Sequence, residues 1–168
     1  MQKDTIILLA NYNKSVNSIM NGLIKTLDQN EWEKPLGGFF PSVHSLCSHL
    51  YISDYNYLKR FSSLRPFNSL NDPFYEKSYS FKETIFSDMV EYLDKRPDLD
   101  NRIITFVSEI TDGDLENNLK YTDSQGTIHE RKFGKSLMQF FNHQTHHRGG
   151  ISVYLDMLGR ENDFSFLS

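Results

Sequence analysis

Apolar side chains recur every three or four positions through most of this chain, a period that commits it to packed helices. Between Thr5 and Asp28 they fall at Ile6, Leu9, Ala10, Val16, Met20, Leu23, Ile24 and Leu27, so one face of a helix is apolar and must be covered. Asn13 and Asn17 interrupt that stripe and are read as buried hydrogen-bonding groups or edge residues rather than catalysts. Ser42 is placed to cap a second helix carrying Leu46, His49, Leu50, Ser53, Tyr57, Leu58 and Phe61. The Glu or Gln that would close a capping box three residues later is missing. From Phe81 to Lys95 the spacing is again helical, through Ile85, Met89, Tyr92 and Leu93. Pro97 has no amide proton to donate and is expected to kink or restart this helix, which continues from Leu99 to Ile110 and ends near Thr111–Gly113. A last helix is expected from about Gly134 to Leu158, with Gly159 as its stop.

The connections are of three kinds. Pro35 to Pro41 is rich in Pro and Gly, and Pro66 to Pro73 reads as a long loop. The stretch Phe67–Tyr79 is long enough to cover a pocket. Between Asn117 and Phe133 the pattern changes: Leu119, Tyr121, Thr127, Ile128 and Phe133 flank Asp123-Ser124-Gln125-Gly126, which signals a hairpin. The expected fold is all-α, a four-helix bundle with a long third connection and a small β-hairpin before the last helix. At 168 residues the chain is expected to form a single domain, 1–168.

Composition removes several function classes. Duplex nucleic-acid binding draws on Lys and Arg to neutralise phosphates, and here 18 basic residues face 22 acidic ones, a net charge of −4. No nucleic-acid partner is expected. Cys47 is the single cysteine, so neither an intrachain disulfide nor a cysteine cage for zinc can form, which fits a reducing compartment. The apolar run Ile6–Ala10 is too short for a signal-peptide core, and no stretch approaches the roughly 20 residues of a membrane span. The chain is therefore expected to be cytoplasmic, with no membrane partner.

The six histidines carry the chemistry. His143, His146 and His147 fall within five residues of the last helix. His143 and His147 are one turn apart on one face, whose continuation through Phe140, Gly150, Ile151, Tyr154 and Leu158 is the core stripe. Burying two unpaired imidazoles is costly, and a metal ion satisfies both together. An isolated His-x-x-x-His is more often an ordinary pair of core or surface histidines; a third histidine shifts that balance. His49 lies mid-helix between Leu46 and Ser53, and one ligand from one helix with two from another closes a trigonal set. Three neutral imidazoles suit zinc, nickel, iron or copper and leave a position open for water or substrate. His146, three residues after His143, is an alternative to His147, although the apolar neighbours of His147 favour the latter. His44 and His129 are assigned to the surface.

Other chemistries lack their residues. There is no Glu-x-x-His for a di-iron carboxylate bundle, no His-Glu-x-x-His, no phosphate-binding Gly-rich loop and no Gly-x-Ser-x-Gly elbow. Cys47 is off the face of His49 and reads as a small buried residue. No proton acceptor stands out: Ser53, Asn56 and Tyr57 lie one or two turns from His49 and Tyr154 two turns from His147. Asp54 is angled away and is as readily a surface charge. Arg148 is read as stabilising a helix junction rather than binding a carboxylate.

Asn142-His143-Gln144-Thr145-His146-His147-Arg148-Gly149 resembles the signature of the DinB-like (DinB/YfiT) family of metalloenzymes. The segment Ser42-Val43-His44-Ser45-Leu46-Cys47-Ser48-His49-Leu50 and the pattern Tyr12-Asn13 with Asn17 are also similar to that family, over nearly the whole chain. The resemblance implies a four-helix bundle, commonly a homodimer, whose His49, His143 and His147 bind one divalent transition metal such as nickel, zinc or iron. It also implies a metal-dependent enzyme, a thiol-dependent transferase or a hydrolase, acting on a small molecule with or without a low-molecular-weight thiol. The alternative is a non-catalytic dimeric metal-binding or stress-response protein. One position departs from the pattern: Gly150 stands where the family usually has Gln, which enlarges the pocket or removes a polar contact. Two consecutive helical glycines cost about 1 kcal/mol each relative to alanine, and a close helix contact at Gly149–Gly150 is expected to offset this.

Overall fold

A computed structural model describes residues 2–123 and 125–165. Its long helices are α1 (Lys3–Ile24), α3 (Val43–Phe61), α4 (Met89–Glu109) and α6 (Phe133–Met157), with short helices α2 (Gln29–Glu33) and α5 (Asp112–Glu116) between them. α1 packs against α4 and α6, and α3 packs against the same two, so the four long helices close into a ring around one core. The stripe expected on α1 is buried at Ile6, Ala10, Val16, Met20 and Ile24. It meets a core rich in aromatics, with Phe61, Tyr92, Phe106, Phe133 and Phe140 each at most 1% exposed. The hairpin stands before α6, with β1 (Asn118–Thr122) antiparallel to β2 (Ile128–Lys132) and Asn118 opposite Lys132. Ser124, in the expected turn, lies outside the described residues. No helix among those described is long and apolar enough to cross a membrane.

Several boundaries differ from the sequence reading, each for a local reason. The first helix stops at Ile24 rather than Asp28, because Asp28 caps α2 through a box with Glu31 and Trp32 then turns fully into the core. Ser42 does cap α3, and the partner expected of Glu or Gln is Ser45, whose hydroxyl takes the Ser42 amide at 2.9 Å. The helix expected from Phe81 begins only at Met89: Asp88 accepts the Glu91 amide at 2.8 Å and Glu91 returns to the Ser87 amide. α4 then runs through Pro97 without a restart. α5, absent from the sequence reading, is capped by Thr111.

Two further expectations are corrected by packing. The stretch Phe67–Tyr79 does not line the cavity at the histidines: its two short 3-10 turns bury Phe67, Leu70 and Tyr75 in the core, and Pro73, Phe74, Lys77 and Tyr79 line a different cavity of about 800 Å³. The Gly149–Gly150 pair is only half explained by close contact. A β-carbon at Gly150 would meet Leu46 Cδ1 at 3.3 Å, whereas one at Gly149 would meet nothing. Gly159 ends α6 as expected, at φ +78°.

Candidate metal centre

α3 carries His49 inward at 1% exposure, and α6 presents His143 and His147 one turn apart, both half-buried. The three Nε2 atoms converge. His49 Nε2 lies 3.3 Å from that of His143 and 3.1 Å from that of His147, and one ligand atom from each ring lies within 4.8 Å of the others. His49 Nδ1 stands 3.3 Å from the Phe81 carbonyl oxygen. A carbonyl only accepts, so Nδ1 carries the proton and Nε2 presents a lone pair. That single lone pair cannot accept from both other rings at once, so hydrogen bonding leaves the cluster short of a partner. A cation supplies it. Nitrogens about 2.0–2.1 Å from a tetrahedral ion lie roughly 3.3–3.4 Å apart, close to the separations found here.

Electrostatics keeps these rings available as ligands. Burial, with the neighbouring imidazoles, holds His143 down to about 4 and His147 down to about 3 from an ordinary 6.5. Burial also lowers His49, against the Phe81 carbonyl, which favours its protonated form. All three are neutral at neutral pH, the form a metal binds. Among the described residues no Asp, Glu or Cys joins the group, so the remaining side faces a cavity of about 690 Å³.

A family model described as the DinB family matches residues 1–164. The chain belongs to the DinB family. Protein DinB of Bacillus subtilis (strain 168) is 25% identical to it over 156 residues, which cover 93% of this chain and 87% of the relative.

In this DinB-family chain, aromatic rings enclose the histidines. Phe40 stacks on His49 with centroids 4.1 Å apart and meets His147 edge-on at 5.8 Å, and Phe81 meets His49 edge-on at 4.7 Å. Phe40 is held by Tyr154, whose hydroxyl shares its one proton between the Gly37 carbonyl and, at 2.8 Å, that of Phe40. Gly38 permits that contact: its φ is +77°, and a β-carbon there would lie 2.6 Å from the Tyr154 hydroxyl. Tyr154 is thus an anchor for the loop and not a free acid. Ser53 Oγ is 3.4 Å from His49 Nε2, and the Tyr57 ring lies 5.9 Å from that of His143.

The remaining sequence candidates sort themselves by position. His146 is exposed and flanks the site, its ring 4.8 Å from that of His147, and it contributes no ligand atom to the cluster. His44, expected at the surface, is half-buried, stacked on Trp32 and bonded to the Phe86 carbonyl at 3.0 Å. His129 sits half-buried on the hairpin beside Asp123 at 2.8 Å. Cys47 is fully buried, and burial pushes its thiol up to about 12. Asp54, read as a surface charge, is completely buried with Oδ2 2.7 Å from Arg96 Nη1. Arg96 is itself buried and reaches Asp100 at 2.5 Å, and Asn17 donates to the same Asp100 oxygen at 2.9 Å. Arg148 is structural, as read: it is 3% exposed and donates to Asn13 and, at 3.2 Å, to Thr145.

The sequence reading missed the aromatic wall and this ion-pair network. Phe39-Phe40 did carry a signal, two bulky rings between Gly37-Gly38 and Pro41 in a loop that a core has no need of. Arg96, beside Pro97, carried none.

Proposed function

We propose that His49, His143 and His147 hold one divalent transition metal, nickel, zinc or iron, and that the chain is a metal-dependent enzyme, a thiol-dependent transferase before a hydrolase. The observation that carries this is the meeting of three imidazole nitrogens at separations of 3.1 and 3.3 Å beside an open cavity. Structural zinc is closed by four protein ligands; three ligands and an accessible side suit chemistry. An ion there supplies a Lewis acid that makes a bound water or thiol acidic enough to be a nucleophile near neutral pH.

The protein's own groups favour the thiol. A free thiol ionises near about 8.5, so it needs little help, whereas water benefits from a carboxylate base. No Asp or Glu among the described residues joins the three nitrogens, and Ser53 Oγ is the hydroxyl at hand. His49 is oriented by the Phe81 carbonyl, which fixes its tautomer. Phe40 and Phe81 exclude water from two sides of its ring. A homodimer is proposed alongside, since Leu8 and Ile19 on α1 and Met138 on α6 remain 43%, 60% and 53% exposed.

Elemental analysis of untagged protein tests the reading, with His49→Ala, His143→Ala and His147→Ala in parallel. The expected result is about one ion per chain in the parent and loss in each variant with the helical spectrum retained. A parent that resists reconstitution refutes the centre. An ion retained by the parent, with no turnover of any electrophile by added thiol or water, returns the chain to the non-catalytic reading.

A further inference from the structure

The walls of the 690 Å³ cavity over the histidines are unusually one-sided in chemistry. Phe39, Phe40, Phe81, Leu46 and Val153 line the cavity, and no lining residue is Asp, Glu, Lys or Arg. The one hydroxyl among them, on Tyr154, is committed to the backbone carbonyls of Gly37 and Phe40. Lys82 sits 4.3 Å from the centroid of the Phe39 ring and is not part of the lining. The ion's charge is met by whatever donor atom it holds; an anionic tail carried beyond that atom would give up water and find no cationic side chain and no free hydroxyl along the walls.

The phenylalanines pack on one another into one aromatic wall. Phe39 stands edge-on to Phe40 at 4.9 Å and tilted to Phe81 at 6.5 Å, and Phe40 and Phe81 are 5.9 Å apart. These are the spacings at which aromatic rings attract through their edges and faces. Phe39 is 68% exposed and Phe81 56%, apolar area left to water at the mouth of a concave site, where a ligand would cover it. Gly150 adds room: any β-carbon there would press on Leu46.

We infer that this centre takes an uncharged, ring-bearing apolar small molecule and discriminates against anionic ones. The inference rests on the three-histidine metal reading and deepens it: the ion holds a donor atom, and the phenylalanine wall selects what is attached to it.

Cobalt(II)-loaded protein, whose visible spectrum reports ligation, is titrated with two thiols of similar acidity, phenylmethanethiol and 2-mercaptoethanesulfonate. Both carry sulfur to the ion and differ in the tail offered to the wall. The aromatic thiol is expected to bind roughly tenfold or more tightly, and Phe81→Ala to lose most of that preference while still binding cobalt. Phe81 is largely exposed and its carbonyl survives the change, so the variant keeps the fold. Gly150→Leu, which fills the cavity, is expected to weaken the aromatic thiol in particular. Equal or tighter binding of the sulfonate overturns the inference while leaving the metal centre standing. A parent that binds no cobalt overturns the metal reading and this inference with it.

Discussion

Gly38 links the stability of the fold to the shape of the site, and its replacement by alanine separates the contributions. Its φ of +77° lies in the left-handed region, where alanine costs about 1–2 kcal/mol. The new β-carbon would also lie 2.6 Å from the Tyr154 hydroxyl. That hydroxyl ends a side chain and can withdraw, but only by giving up the one proton it shares between the Gly37 and Phe40 carbonyls, about 1 kcal/mol. Gly38→Ala should therefore cost about 2–3 kcal/mol in all. Tyr154→Phe, which removes the same shared bond and keeps the ring, should cost about 1 kcal/mol. Urea unfolding followed by circular dichroism reads both, and the midpoint should move without a change of slope. Phe40 is stacked on His49 at 4.1 Å, so cobalt affinity should fall in both variants as the loop loosens. A Gly38→Ala protein within about 0.5 kcal/mol of the parent, or a Tyr154→Phe protein destabilised as much as Gly38→Ala, would refute the account of this loop.

In the ion-free protein His143 and His147 are held at about 4 and about 3, against an ordinary 6.5. As pH falls below 6.5 the unfolded chain takes up protons that the folded one refuses, so stability should rise with pH from about 3 to 6.5 and level off above. Urea midpoints in chelator across that range check the slope, which should flatten when both histidines are replaced by Phe. Asp54→Ala removes one carboxylate from Arg96 deep in the bundle and should cost about 3–5 kcal/mol; a loss under about 1 kcal/mol in the same assay would show that Asp100 alone suffices.

What the sequence made legible follows from the range of each signal. The 3.6-residue period located all four long helices because burial acts along a whole face, and the hairpin was legible from the turn residues Asp123-Ser124-Gln125-Gly126 between apolar flanks. His49, His143 and His147 were legible for a related reason: α6 spaces two of them by one turn, and the core stripe points them at α3. The boundaries were harder, since a cap is one hydrogen bond. Asp28 and Asp88 end or start helices through contacts with Glu31 and Glu91, and neither outcompetes the apolar period when the chain is read alone. The burial of Asp54 was illegible because its partner Arg96 stands on another helix, 42 positions along the chain. The role of Phe81 was hidden for the opposite reason: its spacing fits a helix, and only the late start of α4 frees it to reach the site.

That buried network bears on why the site can be accurate at all. α6 carries two pairs one residue out of phase, His143 with His147 and Gln144 with Arg148, so the second pair is rolled about 100° from the first. Gln144 and Arg148 are 0% and 3% exposed, with Arg148 bonded to Asn13 on α1. Asp54, next to the Ser53 that touches His49, is tied to Arg96 on α4. A helix with its side chains has a radius of about 5–6 Å, so a roll of about 10° carries a side-chain tip roughly 1 Å. Metal–ligand distances tolerate only about 0.2 Å. Apolar packing alone is non-directional and would permit such a roll at little cost. Hydrogen bonds and ion pairs between α1, α3, α4 and α6 do not, because each is lost within a fraction of an ångström or a few tens of degrees. Charges in a core give little net stability against well-packed hydrophobic residues. Their contribution here is directional: Arg148 sets the roll of α6 against α1, and Asp54 with Arg96 sets that of α3 against α4.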